Sequence, residues 1–368
     1  MMPPPDVGLA DWMEEHIYIP KSVSERPGFV RLDPDQRGIA NAISNPANEY
    51  VTVMTSARRG LTMILVGALG YRASREGGNI LFVQPTADDA KDFGKDQLVP
   101  MIAASDKMSG IFPVQKAKDK SQTLNRKEYS GGTLYLIGAH SGAGFRRKLA
   151  PWAFLDEVDG YAPSAGDDGD QIKLAAKRGQ TSWERKIVCI STPLVKGRSK
   201  IEAMFLAGDQ RRFFVPCTQC GHMDFLVFSE PSDGRGHWMH WDDEDTYTAV
   251  YICSENGCVI EEKDKEQMMA LGEWRATAEA PAGRASFHIW AAYSPDPKAR
   301  WSMIAQEFVD AMKSGVDALK VFVNQMLGET WEESGDAPEW QKLYHRRLPY
   351  AIGSVPDGVE FLTCGVDV

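Results

Sequence analysis

Short apolar runs recur at Tyr50–Thr55, Asn79–Val83, Thr133–Gly138, Pro151–Leu155 and Lys186–Ser191. They are rich in β-branched and aromatic residues, which predicts buried strands. Helical patterns lie between them. One runs from Leu61 to about Glu76 and stops at Gly77-Gly78. Another is opened by Thr86, with Asp89 placed as a capping-box acid, and runs to about Ala104. A third covers Asp170 to Arg178. Strands alternating with helices in this way predict an α/β domain with a mainly parallel sheet.

The flanks read differently. Residues 1–48 form a Pro-punctuated approach segment with short helical stretches at Asp11–Ile19 and Gln36–Ile43. The polar stretch from about Ala104 to Lys127 predicts loops. After Phe205, short aromatic and cysteine-bearing strands occupy about 211–292, and helical periodicity returns from Trp301 to about Leu327. The expected organisation is an approach segment at 1–48, an α/β core at 49–208, a β-rich subdomain at 209–295, a helical segment of the core at 296–330, a linker at 331–360, and the first strand of a further domain at 361–368.

A length of 368 residues accommodates two domains or one domain with an insertion. Hydrophobic content of 43% and charged content of 25% are those of an ordinary globular protein. The longest apolar run, around Met63–Leu69, is far short of a membrane span. The N-terminus lacks a secretion signal, so a cytoplasmic location is expected. A net charge of -10 excludes a wholly basic surface but not a local basic track, for which Arg146-Arg147-Lys148, Lys177-Arg178 and Lys196–Lys200 are candidates. Clustered cysteine pairs in such a protein favour metal over disulfides.

Three features carry chemistry. The run Trp152-Ala153-Phe154-Leu155 ends in Asp156-Glu157, as a buried strand does when it delivers acids to the carboxyl edge of a parallel sheet. In NTPases built this way the first acid holds Mg²⁺ and the second polarises the attacking water. Thr55-Ser56-Ala57-Arg58-Arg59-Gly60-Leu61-Thr62 stands where a phosphate loop would, between strand and helix. Gly60 and Thr62 fit, with the Thr62 hydroxyl a candidate Mg²⁺ ligand. Thr55 and Leu61 replace the usual glycine and lysine, leaving Arg58 and Arg59 as the loop cations. Cys217-x2-Cys220 and Cys253-x4-Cys258 form two knuckles with the spacing of a closed structural zinc site, with His222, His237 or His240 as substitutes for one ligand.

Ser56 through Thr62, Leu81-Phe82-Val83-Gln84-Pro85-Thr86, Phe154 through Asp159 and Ser191-Thr192-Pro193 occur in an order and spacing that resembles the large terminase subunit of tailed bacteriophages, of the GpA type. The resemblance implies a P-loop NTPase fold of the ASCE, RecA-like kind with a small β-rich zinc-binding insertion. It implies an ATPase that drives double-stranded DNA into a procapsid in the host cytoplasm. ATP, Mg²⁺ and Zn²⁺ are then the expected cofactors. The expected partners are DNA, a small terminase subunit, the portal and further copies of the chain in a ring. By the same resemblance Asp156 is the Mg²⁺ ligand, Glu157 the catalytic carboxylate, and Ser191-Thr192-Pro193 the coupling motif. Gln36 is similar to the adenine-reading glutamine. Arg146 and Arg147 are candidates, with Arg178 and Arg198, for the arginine that neutralises developing charge in a neighbouring subunit. Asp367 matches a nuclease metal ligand. The other members of that site would follow it, so a nuclease domain missing from this chain is expected, and with it no nuclease activity. Two other readings stay open. A helicase-like remodelling ATPase is disfavoured because no second α/β repeat follows Phe205. A zinc-ribbon scaffold with an inactive NTPase core is favoured by the absent loop lysine.

Overall fold

The computed structural model describes residues 7–75, 77–113, 123–140, 142–146 and 148–333. Thirteen strands among them join one sheet. In chain order they are β1 (Tyr50–Thr55), β2 (Ile80–Gln84), β3 (Arg126–Tyr129), β4 (Gly132–Gly138), β5 (Trp152–Asp156), β6 (Lys186–Ser191), β7 (Arg211–Pro216), β8 (Met223–Val227), β9 (His237–Asp242), β10 (Asp245–Ile252), β11 (Val259–Ile260), β12 (Glu273–Arg275) and β13 (Arg284–Ile289). The spatial order is β11-β10-β9-β8-β7-β13-β1-β6-β5-β2-β4-β3, with β12 also paired to β7.

From β13 to β4 every neighbouring pair is parallel. The mixed α/β fold with a large, mostly parallel sheet therefore matches expectation. The central strands β1, β2, β5 and β6 are buried on both faces, which is why their sequences are continuous apolar runs. Trp152 and Phe154 of β5 enter one core with Val51, Val53, Phe82, Val188 and Ile190. Ala153 and Leu155 enter the other with Leu81, Val83, Ile187 and Cys189.

Register decides what gathers at the carboxyl edge. Met54 lies opposite Ser191, Asp156 opposite Ile190, and Val83 opposite Leu155. The ends of β1, β6, β5 and β2 are therefore level, although β6 and β5 come more than a hundred residues after β1.

The helices that matter are α1 (Leu9–His16), α2 (Pro34–Ser44), α3 (Leu61–Arg75), α4 (Gln171–Arg178), α5 (Trp301–Ser314) and α6 (Val316–Phe322). Helix α3 presents Gly67 to Met13 and Gly70 to Met108 and Trp12, so closely that a Cβ at either glycine would overlap those side chains. This explains a difference from expectation: Asp106–Ile111 is helical in a stretch predicted as loops. Burying Met108 against α3 outweighs the polar local composition. Thr86 caps its helix with Asp89 as expected. The helix expected over Asp11–Ile19 instead ends at His16, because Tyr18–Ile19 pairs with Gly28–Phe29.

The sheet runs unbroken past the boundary expected at residue 208, because β7 joins β13. Strand β13, expected within the β-rich subdomain, pairs along its whole length with β1 in the parallel core. Only long-range pairing distinguishes such a strand from its β-rich neighbours. Most of the linker expected at 331–360, and the strand at 361–368, lie outside the described residues. None of the described helices is long and apolar enough to cross a membrane.

Candidate nucleotide site and cysteine cluster

Strand β1 runs into a turn that reverses direction through two left-handed residues, Arg58 at φ 59° and Gly60 at φ 70°. Helix α3 starts at Leu61, so its unpaired N-terminal amides face the same edge as the turn. The first two loop amides are already used. Ser56 N donates to Ile289 O at 3.1 Å and Ala57 N to Gln325 O at 2.9 Å. An anion would therefore meet the later amides, from Arg58 onward. The Ser56 hydroxyl is buried with no partner among the described residues.

The two loop arginines differ. Arg58 is exposed. Arg59 is only 3% exposed, and its guanidinium lies 2.6 Å from the Asp35 carboxylate, which is wholly buried. Arg59 is therefore engaged within the fold, which leaves Arg58 as the exposed one of the two candidate loop cations. Proximity in sequence made them look equivalent, and a partner on α2 separates them. Gln36 holds the same place. Its Nε2 donates to Arg59 O at 2.7 Å, while its Oε1 accepts from Asp33 N at 3.0 Å. The Gln36 amide thus rests on the turn and caps α2 at once.

Asp156 is 3% exposed. One of its carboxylate oxygens, Oδ2, accepts from Thr62 Oγ1 at 3.2 Å and from Gln84 Nε2 at 3.1 Å. The other, Oδ1, is buried with no partner among the described residues. Burial first, then the neighbouring Glu157 charge, push the Asp156 pKa up to about 7. Glu157 adopts the left-handed region, φ 53° and ψ 52°, a cost typical of functional turns. The strain aims its carboxylate at β6. Ser191 Oγ donates to Glu157 Oε2 at 3.3 Å, and Thr192 N approaches the same oxygen at 3.5 Å. Desolvation holds the Glu157 pKa above its ordinary value, and the Thr192 and Ser191 donors offset only part of that rise. Asp159 completes the turn by accepting from Leu194 N at 3.0 Å and Ile201 N at 2.8 Å.

Thr62, Asp156, Glu157, Ser191 and Thr192 thus form one connected group, beside a turn that carries Arg58, Arg59 and Gly60. Pro193 follows immediately and is buried. Arg146 is not in this group. It is exposed and ion-paired to Asp168, at 2.6 and 2.8 Å from the two carboxylate oxygens. The preceding Gly142–Phe145 segment is a helical turn anchored by buried Phe145. Arg178 Nε is buried and Arg198 is exposed. Arg147 and Asp367 lie outside the described residues.

Sequence reasoning missed Asp35 and gave Gln84 no role. It also missed the contribution of Gln325 and its neighbours. Gln84 was findable in principle, as a polar residue ending an apolar strand; nothing local marks the others. Beside the first turn of α2 a cavity of about 930 Å³ is lined by Asp33, Pro34, Lys265, Tyr293, Asp296 and Arg300, among others. Burial lowers the Lys265 pKa to about 8.

The four predicted cysteines meet. All four Sγ atoms lie within 4.8 Å of one another, and Cys220 Sγ is 3.7 Å from Cys253 Sγ. Tetrahedral Zn–S bonds of about 2.3 Å place sulfurs about 3.8 Å apart, so the four donors suit a zinc ion. Each knuckle closes on itself. Cys217 N donates to His222 O and Gly221 N to Cys217 O. Cys253 N donates to Cys258 O and Gly257 N to Cys253 O. Gly221 and Gly257 both need positive φ, at 77° and 63°. No histidine joins this group among the described residues.

Comparison with known proteins points one way. The family model described as phage terminase large subunit gpA, ATPase domain, matches residues 24–274. The model described as terminase large subunit gpA, endonuclease domain, matches residues 284–368. This second match overturns the expectation that nuclease sequence is missing from the chain, and with it the ground for expecting no nuclease activity. The matched region begins at β13, far upstream of 361–368, the strand expected to open that domain. Among curated proteins, the terminase large subunit of Enterobacteria phage P21 is 32% identical over 99% of this chain and 59% of its own length. That of Escherichia phage lambda is 30% identical over 97% and 58%. The chain thus spans about 59% of the length of the curated relatives it matches. Among solved structures, the large terminase ATPase domain of Thermus phage P74-26 is 13% identical over 81% of this chain and 99% of that one, with a TM-score of 0.42.

Proposed function

Because the chain belongs to the gpA family of phage terminase large subunits, we propose that it is the ATP-hydrolysing motor part of a DNA-packaging terminase, acting in the host cytoplasm. One observation carries the reading. Thr62 and Asp156, 94 positions apart, come within hydrogen-bond distance at the carboxyl edge of a parallel sheet. That is where nucleotides bind in such folds. The strand order supports a P-loop NTPase of the RecA-like kind, since β6 lies between the loop strand β1 and the acid strand β5.

The triphosphate would lie over the turn, met by amides from Arg58 to Thr62 and by the exposed Arg58 side chain. The unpartnered Asp156 Oδ1 and the Thr62 hydroxyl fit Mg²⁺, which when bound neutralises charge on the phosphates. Glu157 is aimed by its turn and by Ser191 to orient the attacking water and take its proton. Ser191 and Thr192 touch that same carboxylate, so a change at Glu157 is felt by the coupling segment directly. Gln36, beside the turn, would read the base only by giving up its bond to Arg59 O or to Asp33 N. The similarity of residues 284–368 to the terminase endonuclease domain supports a second activity, DNA cleavage, in the same chain. Arg146 would serve a neighbouring subunit only after release from Asp168. Zn²⁺ on Cys217, Cys220, Cys253 and Cys258 holds the β-rich region together. DNA, a small terminase subunit, the portal and a ring of copies are the partners this function requires.

The test is steady-state ATP hydrolysis beside equilibrium binding of a fluorescent ATP analogue. Glu157→Gln should bind Mg-ATP like the wild type and lose turnover by about 10²-fold or more. Asp156→Ala should weaken Mg²⁺-dependent binding. Absence of binding to the wild type at millimolar Mg-ATP would favour the scaffold reading instead.

A further inference from the structure

The helical hairpin of α5 and α6 ends in a widened turn, Val323–Leu327, with π-type bonding. Such turns gather at functional positions. This one lies against both working motifs. Gln325 O accepts from Ala57 N of the phosphate loop at 2.9 Å. Asn324, 3% exposed, donates its Nδ2 to Leu194 O at 2.7 Å and to Glu329 O at 2.8 Å. Leu194 follows Ser191-Thr192-Pro193 directly. Its carbonyl also accepts from Trp331 N at 2.8 Å, and Lys196 N donates to Trp331 O at 3.0 Å. Gly328, at φ 63°, packs so tightly on the loop that a Cβ there would lie 2.5 Å from Ser56 N. Two adjacent residues, Asn324 and Gln325, therefore hold the coupling segment with a side chain and the phosphate loop with a carbonyl.

We propose that Asn324 is a positioning residue that makes the coupling segment respond to the phosphate loop. The proposal rests on the nucleotide reading above and assigns a role that the loop and acid motifs leave open. Movement of Ala57 when the loop closes on a triphosphate pulls Gln325. Asn324, one residue away, carries the shift to Leu194 and through Thr192 to the Glu157 carboxylate. A second route through Thr62 and Asp156 closes the circuit. Loop and carboxylate then switch as one unit rather than in sequence. A purely local role for Asn324 would need only the Glu329 bond, which closes the turn; the Leu194 bond reaches across 130 positions.

The experiment compares wild type with Asn324→Leu, which keeps the side-chain volume and removes both donated bonds. The expected result is an ATP analogue Kd within threefold of wild type, kcat at least tenfold lower, and a small change in melting temperature. If Asn324→Leu matches wild type in kcat, the inference is overturned while the nucleotide reading stands. Equal losses of affinity and turnover with a large fall in melting temperature mark a merely structural residue and also overturn it. If wild type binds no Mg-nucleotide, the functional reading itself fails. Hydrogen exchange on the wild type is a second measurement that needs no variant. The Mg-ATP analogue should slow exchange at 56–62, 192–196 and 324–331 together. Protection confined to 56–62 would overturn the proposal.

Discussion

Replacing Asp35 by asparagine keeps the shape of a wholly buried side chain and removes its charge. Arg59, 3% exposed, then faces a neutral amide at the place of a carboxylate 2.6 Å away. Breaking one side of a buried ion pair costs about 3–5 kcal/mol, because the remaining charge stays out of water. Against a typical total of about 5–15 kcal/mol that is a large fraction. It should lower the melting temperature by roughly 6–15 °C at about 2–3 °C per kcal/mol for a domain of this size. The pair is also incompletely satisfied, since Asp35 Oδ1 and Arg59 Nε have no partner among the described residues. Its net worth against an apolar pair is therefore small. The double variant Asp35→Leu with Arg59→Met should recover to within about 1–2 kcal/mol of wild type. Equilibrium unfolding in urea, followed by tryptophan fluorescence, measures both. Trp274 is a suitable reporter, since its Nε1 donates to Asp35 O at 2.9 Å. A loss below about 1 kcal/mol in Asp35→Asn would refute the reasoning, as would a double variant worse than the single one.

Other consequences can be checked independently. Purified protein should carry one zinc ion per chain by metal analysis, and Cys217→Ser should abolish it; chelation should expose the β7–β11 region to protease, because site formation and local folding are linked. Gly328→Ala should cost about 1–3 kcal/mol, from positive φ and overlap with the Ser56 backbone, and should weaken nucleotide binding. Gly315→Ala is the control, with φ 101° and open space around it, so it should leave nucleotide binding unchanged. Arg58→Ala, at an exposed position, should change stability by less than about 0.5 kcal/mol yet raise the ATP-analogue Kd about tenfold or more.

What the sequence disclosed was what is local. Asp156-Glu157 stood out because an apolar strand cannot end in two acids without placing them at an edge. The Thr86–Asp89 cap and the two cysteine knuckles were legible for the same reason, since each is complete within a few residues. Features set by distant partners were hidden. Arg58 and Arg59 looked alike until Asp35, on another helix, took one of them. Arg284–Ile289 looked like its β-rich neighbours, and pairing with β1 made it a core strand. Asn324 lies in an ordinary helical pattern, and only the fold shows that it touches the residue after the coupling motif. The endonuclease match from residue 284 was hidden too, because only the C-terminal Gly-Val-Asp-Val run carries a local metal-ligand signal within it.

The central claim is that the lysine-free turn and the distant acids serve one nucleotide. A crystal structure of this chain with Mg²⁺ and a non-hydrolysable ATP analogue tests it most directly. The account predicts the β- and γ-phosphates over the Arg58–Gly60 turn, the Arg58 guanidinium on a phosphate oxygen, and the metal between the Thr62 hydroxyl and Asp156. A triphosphate bound elsewhere, or a metal that leaves Asp156 Oδ1 without a partner, would contradict it.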